Sequence, residues 1–216
     1  MYSASHYCSD KEGGFTLVEL LVSISIIVII TSFVVAGQDT YVGGAALKGD
    51  LSEIALSLSE ARAYGLGVRE LTPGSGDFSA AYGIEFRLPS AGGSDSSYVS
   101  FADLGSPKDG VYGGTWACSI GGGSECLSKK TFSRNNKIDS ICVIYNSGGG
   151  NCAGDNVDRV AVSFLRPDTE AIIKFFNNGG LPFTPSNYKG VEINLEAPSG
   201  DIKSVSVFTT GQISIQ

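Results

Sequence analysis

The sequence predicts an α+β fold in which a long N-terminal hydrophobic α-helix packs by its C-terminal half on a domain of antiparallel β-sheet. Three observations lead there. From Leu20 to Gln38 the chain carries no charge, and about 20 apolar residues suffice for a helix to cross a bilayer. From Leu47 to Ala61 apolar residues recur at helical spacing. Beyond Pro73 the period shortens to two, the alternation of half-buried strands.

The helix opens at Gly13-Gly14-Phe15-Thr16-Leu17-Val18-Glu19. An ionised acid in hydrocarbon costs roughly 2.5 kcal/mol or more, so Glu19 asks for a partner that one isolated chain lacks. A secretory signal peptide has a basic start, an apolar core and then a small-residue cleavage site. Here the order is reversed: Asp10, Lys11, Glu12 and the Gly-Gly step all precede the apolar run. A plain single-span anchor is the other reading, but an anchor gains nothing from Glu19.

Past the apolar run, Gly37, Gly43, Gly44 and Gly49 each cost close to 1 kcal/mol relative to Ala and are expected to bend or partly unwind the helix. Leu47, Leu51, Ile54, Ala55, Leu58 and Ala61 then form an apolar stripe. Lys48, Asp50, Glu53, Ser57 and Glu60 are expected on the opposite face, and the helix is expected to fade between Tyr64 and Gly67.

Strands follow. Tyr82, Ile84, Phe86 and Leu88 alternate with Gly83, Glu85 and Arg87; Ile141, Val143 and Tyr145 with Cys142 and Ile144; Val160, Val162 and Phe164 with Ala161 and Ser163. Ala171 to Phe176 is continuous enough to be a buried strand or a short helix. At the end, Val191, Ile193 and Leu195 face away from Glu192, Asn194 and Glu196; Pro198-Ser199-Gly200-Asp201 supplies a turn. Strands from Ile202 to Thr209 and from Gln212 to Ile215 complete an antiparallel meander across Gly211. The Gly- and Ser-rich stretch from Gly74 to Gly154 is expected to hold long surface loops. Its Gly121-Gly122-Gly123 and Gly148-Gly149-Gly150 runs lack the Gly-Lys-Ser/Thr ending of a phosphate-binding loop.

Gly14, Phe15 and Glu19 resemble the processing site of type IV prepilins and pseudopilins. The resemblance implies cleavage between Gly14 and Phe15 by prepilin peptidase, N-methylation of Phe15, and a role for Glu19 in recruiting and registering subunits. A carboxylate near a helix start is favoured by the macrodipole and can neutralise the terminal amine of a neighbouring subunit. It further implies a leader at residues 1–14, a transmembrane and filament-core half-helix at 15–38, an amphipathic half-helix at 39–67 and an exported β-rich domain at 68–216. With the Leu58 to Arg62 segment and the C-terminal meander, the chain looks like minor pseudopilins of the H or FimT type. The implied product is a structural, minor subunit of a type IV pilus or type II secretion pseudopilus. Implied partners are the prepilin peptidase, other pilin subunits and an inner-membrane assembly platform. The implied location is a single-pass inner-membrane protein, its globular domain outside the cytoplasm, that then enters the filament.

Cys8 lies in the leader, which leaves Cys118, Cys126, Cys142 and Cys152 in the exported part. An oxidising exterior lets an even number pair. Three connectivities exist, and the close spacings favour Cys118 with Cys126 and Cys142 with Cys152. A zinc site is disfavoured by the lack of any Cys-x-x-Cys pair and of any histidine after His6.

The formal net charge is −7, of which Asp10 and Glu12 against Lys11 contribute −1, leaving −6 after residue 14. That balance opposes broad electrostatic binding of nucleic acid. Lys129, Lys130, Arg134 and Lys137 around Phe132 are nonetheless the basic patch that a DNA receptor would use. Asp155, Asn156 and Asp158 are candidate calcium ligands without the spacing of an EF-hand; no other cofactor is expected. Trp116 and Tyr112 beside Cys118 read as an aromatic prop under a disulfide loop. With His6 in the leader, no histidine base or Ser-His-Asp triad serves the mature chain, and no enzyme is expected. The alternatives to a filament subunit are a pilus-borne adhesin or DNA receptor and a plain membrane-anchored domain.

Overall fold

The computed structural model describes residues 14–67, 80–105, 108–119, 124–147, 150–152 and 156–216. The fold is α+β. Two compact units divide the chain, residues 1–41 and 42–216. Helix α1, Leu17–Leu66, is continuous over its 50 residues, so the partial unwinding expected at the glycines is absent. Without a proline every peptide keeps its N–H donor, and the propensity cost of isolated glycines does not outweigh the ladder of backbone bonds.

Among the described residues the second unit contains eleven strands: β1 (Ala81–Arg87), β2 (Ser97–Asp103), β3 (Cys126–Thr131), β4 (Lys137–Tyr145), β5 (Gly150–Asn151), β6 (Val157–Phe164), β7 (Ile172–Asn177), β8 (Pro182–Phe183), β9 (Tyr188–Glu196), β10 (Ile202–Phe208) and β11 (Ile213–Ile215). They form two antiparallel sheets, the β-sheet domain expected. One has the order β3-β2-β1-β6-β7-β8 and the other β11-β10-β9-β4-β5. The alternation that marks each strand is blind to the pairing of β9 with β4, about fifty positions away, which draws the C-terminal meander into a separate sheet.

Both sheets turn their apolar faces to one core. Leu47, Leu51, Ile54 and Leu58 of α1, Ile84 and Phe86 of β1, and Ile193 and Leu195 of β9 are all wholly buried in it. Each such side chain contributes about 1.5 to 3 kcal/mol by leaving water. The helix closes onto the sheets at its end: Gly65 lies against the Phe164 carbonyl, where a Cβ would clash, and Arg62 Nη1 donates to the Gly211 carbonyl at 3.0 Å. Gly211 itself has φ +79°, the left-handed conformation that the β10–β11 turn requires.

Three expectations are corrected here, and one left open between strand and helix is decided. Strands β2 and β3 lie in the stretch read as loops; Ser97–Asp103 mixes Ser with Tyr98, Val99, Phe101 and Ala102, and it is buried on both faces. The Ala171 to Phe176 run is strand β7. Asp50 and Ser57, assigned to the solvent face of α1, are buried. Glu85, assigned to the polar face of β1, is wholly buried. The reason in the last two cases is a partner distant in sequence.

Asp50 accepts the Ser133 N–H at 3.1 Å and an Asn136 Nδ2–H at 2.6 Å, clamping the turn between β3 and β4 to the helix. Two turns further along the helix, Ser57 Oγ and Tyr98 Oη share a hydrogen bond of 2.9 Å. Burial, the larger effect, raises the Tyr98 phenol above its ordinary range, while its bond to Ser57 works the other way. A raised folded value favours the neutral phenol in the native state, so this stability is complete below about pH 10 and is lost as pH rises beyond it. Urea unfolding at pH 10 and 11 is expected to show a steeper loss in the native protein than in Tyr98→Phe, by roughly 1 kcal/mol over that interval. Tyr112, shifted the same way by burial, cancels in the comparison. Equal slopes would contradict the assignment.

Candidate functional site: the N-terminal apolar segment

The described side chains of the first unit, residues 14–35, are all exposed. Leu17–Val35 has a mean hydropathy of 2.6 and is long and apolar enough to cross a membrane, and none of it is buried. Phe15 is 77% exposed, and Ile26, Ile27, Phe33 and Val34 are also open. In water so continuous an apolar surface marks a surface for lipid or another protein.

Its polar side chains separate into two kinds. Ser23, Ser25, Thr31 and Ser32 donate to the helix's own carbonyls at Glu19, Leu21, Ile27 and Ile29. These hydroxyls are satisfied without a partner chain. The Glu19 carboxylate has no such recourse, taking no donor among the described residues; its backbone N–H does, donating to Thr16 Oγ1 at 3.3 Å. Thr16 is therefore the N-cap of α1, and Thr16 with Glu19 has the spacing of a capping box, a signal present in the sequence and missed in reading it.

Gly14 and Phe15 precede the helix in irregular backbone, so the bond between them is exposed. A Cβ at Gly14 would meet nothing within 4 Å. The fold of the free chain therefore makes no demand for glycine there. Residues 1–13, with His6, Cys8, Asp10, Lys11 and Glu12, lie outside the described residues.

The second unit holds the remaining candidates. Disulfides join Cys118 to Cys126 and Cys142 to Cys152. With loops this short, each stabilises by about 2 to 3 kcal/mol in the chain-entropy model. All four sulfurs are thereby removed from the set of thiolate metal ligands.

Three of the four basic residues engage groups within the fold, and Arg134 lies in the turn between β3 and β4. Lys130 pairs with Glu53 at 3.0 Å, Lys137 with Glu196 at 3.2 Å, and Lys129 Nζ donates to the Trp116 carbonyl at 2.9 Å. Phe132 is buried against Tyr98 rather than offered for stacking. Of the calcium candidates, Asp155 lies outside the described residues, Asn156 is a left-handed residue with φ +44°, and Asp158 is in β6. Tyr112 is buried and Trp116 partly so, packed with Cys118 and Cys126 on the outer face of the six-stranded sheet.

Residues 108–119 cross that face as a strap, and the sequence reading missed what holds it. Asp103 accepts the Gly105 N–H at 2.9 Å and the Gly110 N–H at 2.7 Å. Glu85 accepts the Tyr112 N–H at 3.2 Å and pairs with Arg87 at 2.5 Å and Arg159 at 2.9 Å. Arg159 also donates to the Tyr112 carbonyl at 3.0 Å.

Residues 9–35 match the family model described as the prokaryotic N-terminal methylation motif. The match spans Gly14, Phe15, Thr16, Glu19 and the whole apolar stretch through Val35. No curated protein and no solved structure matches the chain.

Proposed function

We propose that this chain, which its N-terminal methylation motif makes one of the type IV prepilin and pseudopilin type, is a structural and minor subunit of a type IV pilus or type II secretion pseudopilus. Prepilin peptidase cleaves it between Gly14 and Phe15 and methylates the Phe15 amine. The mature helix holds the protein in the inner membrane with residues 42–216 outside the cytoplasm, then enters the filament beside other subunits. Supporting the reading is one observation above all: a 19-residue apolar helix, none of it buried, whose only charge, Glu19, has no donor of its own.

The chemistry is done to this protein by its peptidase, in keeping with a structural rather than an enzymatic family. A peptidase needs an extended, accessible bond, which the irregular backbone from Gly14 to Thr16 provides ahead of the capped helix. The glycine requirement then resides in the enzyme's cleft. Mass spectrometry of protein purified from its own cells is expected to find an N-terminus at methylated Phe15; an intact leader would overturn the proposal in favour of a plain anchor. In Gly14→Val the cleaved fraction is expected to fall at least about tenfold, the effect of roughly 1.4 kcal/mol on a barrier. The folded domain should be unchanged, since a side chain at residue 14 touches nothing. The receptor reading is not favoured, because Lys129, Lys130 and Lys137 engage groups within the fold.

A further inference from the structure

We propose that Arg87 and Arg159, under the strap on the outer face of the six-stranded sheet, form a binding site for a small oxyanion, a carboxylate or phosphate group. The two residues are register partners on β1 and β6, so their side chains emerge beside one another. Between them lies Glu85, wholly buried. One carboxylate against two guanidinium groups leaves one positive charge without a counter-ion in the cluster. Of the two, Arg159 holds the Tyr112 carbonyl of the strap closely, at 3.0 Å, against 3.5 Å for Arg87.

The unused donors indicate what the second is for. Arg87 commits Nε and Nη2 to Glu85, and Arg159 commits Nη2 to Glu85 and the Tyr112 carbonyl. Nη1 of each arginine has no acceptor among the described residues, and Arg159 Nε is buried without one. Aromatic rings hold both planes in place: Arg87 lies 5.3 Å from the centre of Trp116 and Arg159 4.4 Å from that of Phe176. Planar guanidinium groups fixed in this way are preorganised for an oxyanion.

A cavity of about 350 Å³ adjoins them, lined by both arginines, Tyr112, Gly113, Gly114 and Phe176. That is within the range of small-ligand sites. Among neighbouring charges, Glu125 accepts the Gly113 N–H at 2.5 Å, and Lys129 lies over the Trp116 ring, 5.5 Å from its centre. Asp109 lies on the cavity wall with one oxygen on the Val111 N–H. It makes the site selective: one anionic group meets the arginines, and the rest of the ligand is neutral or cationic where it nears Asp109.

Calorimetric titration of the full-length protein in detergent micelles, with inorganic phosphate and separately with acetate at low ionic strength, tests this. Saturable one-site binding is expected for at least one probe, weakened at least about tenfold in Arg87→Gln by the loss of charge-assisted bonds. Asp109→Asn, an exposed change that leaves the strap's anchors intact, is expected to tighten the binding several-fold, and Lys203→Gln on the other sheet to leave it alone. Binding of phosphate alone identifies a phosphate-bearing ligand, and of acetate alone a carboxylate. Absence of saturable binding for both probes overturns the proposal, as does an affinity unmoved by Asp109→Asn. Should Arg87→Gln fail to fold, the Asp109→Asn result decides.

Discussion

Glu19→Ala is expected to insert in the membrane and be cleaved normally, yet to reach the filament fraction at a small percentage of the native level. The magnitudes separate the steps. Removing an acid from an apolar helix lowers the cost of insertion by up to roughly 2.5 kcal/mol, so a failure downstream cannot come from failure to enter the bilayer. The Thr16 cap is retained as well, because it uses the Glu19 backbone N–H and not its side chain. What disappears is the one polar group in Leu17–Val35 that the helix does not satisfy itself. If a neighbouring subunit's amine is its partner, loss of the pair removes at least about 1.4 kcal/mol per contact, and tenfold in association for each such step. Glu19→Gln keeps the shape and the hydrogen-bonding capacity without the charge. Immunoblots of sheared filaments against membranes should show Glu19→Gln as defective as Glu19→Ala. Native incorporation of either variant would remove the charge pairing from the proposal, while an uncleaved Glu19→Ala would move Glu19 to recognition by the peptidase.

The features legible in the sequence are those whose cause is local. The apolar run, the lone Glu19, the stripe from Leu47 to Ala61 and the alternation in β1, β4, β6 and β9 follow from the period of the backbone, which a sequence carries directly. What escaped was set by contacts at long range. Asp50 is polar and reads as solvent-facing, but its donors are 83 and 86 positions away; Ser57 finds Tyr98 at 41, and Glu85 finds Arg159 at 74. Strand β2 lost its alternation because the strap buries its second face, leaving a Tyr-Val-Ser-Phe-Ala run that does not look amphipathic. The run in β7 could not be assigned by period alone and became a strand because β6 and β8 flank it. At the candidate site the miss was of another kind: Thr16, three residues before Glu19, was legible as a cap and was passed over in favour of the charge.

Glu85→Ala is expected to be the most damaging single substitution in the exported domain, lowering the stability of residues 42–216 by about 3 to 5 kcal/mol, the usual cost of stripping one partner from a buried ion pair. Two guanidinium groups would be left at 13% and 18% exposure without their carboxylate. The Tyr112 N–H would lose its acceptor too, adding the desolvation penalty of an unmade bond. The exposed pair of Lys137 with Glu196 makes the contrast, since such surface pairs contribute about 0 to 1 kcal/mol. Urea midpoints followed by circular dichroism on full-length protein in detergent should show the gap between Glu85→Ala and Glu196→Ala. Replacing Glu85, Arg87 and Arg159 together by Leu should recover most of the loss, because the penalty belongs to the uncompensated charges and not to the missing attraction. A Glu85→Ala protein within about 1 kcal/mol of native would mean that the Cys118–Cys126 bridge and the packing of Tyr112 hold the strap by themselves. In that event the buried carboxylate would have little to do with folding, and its service to the two arginines would be left as the reason for placing an acid beneath the strap.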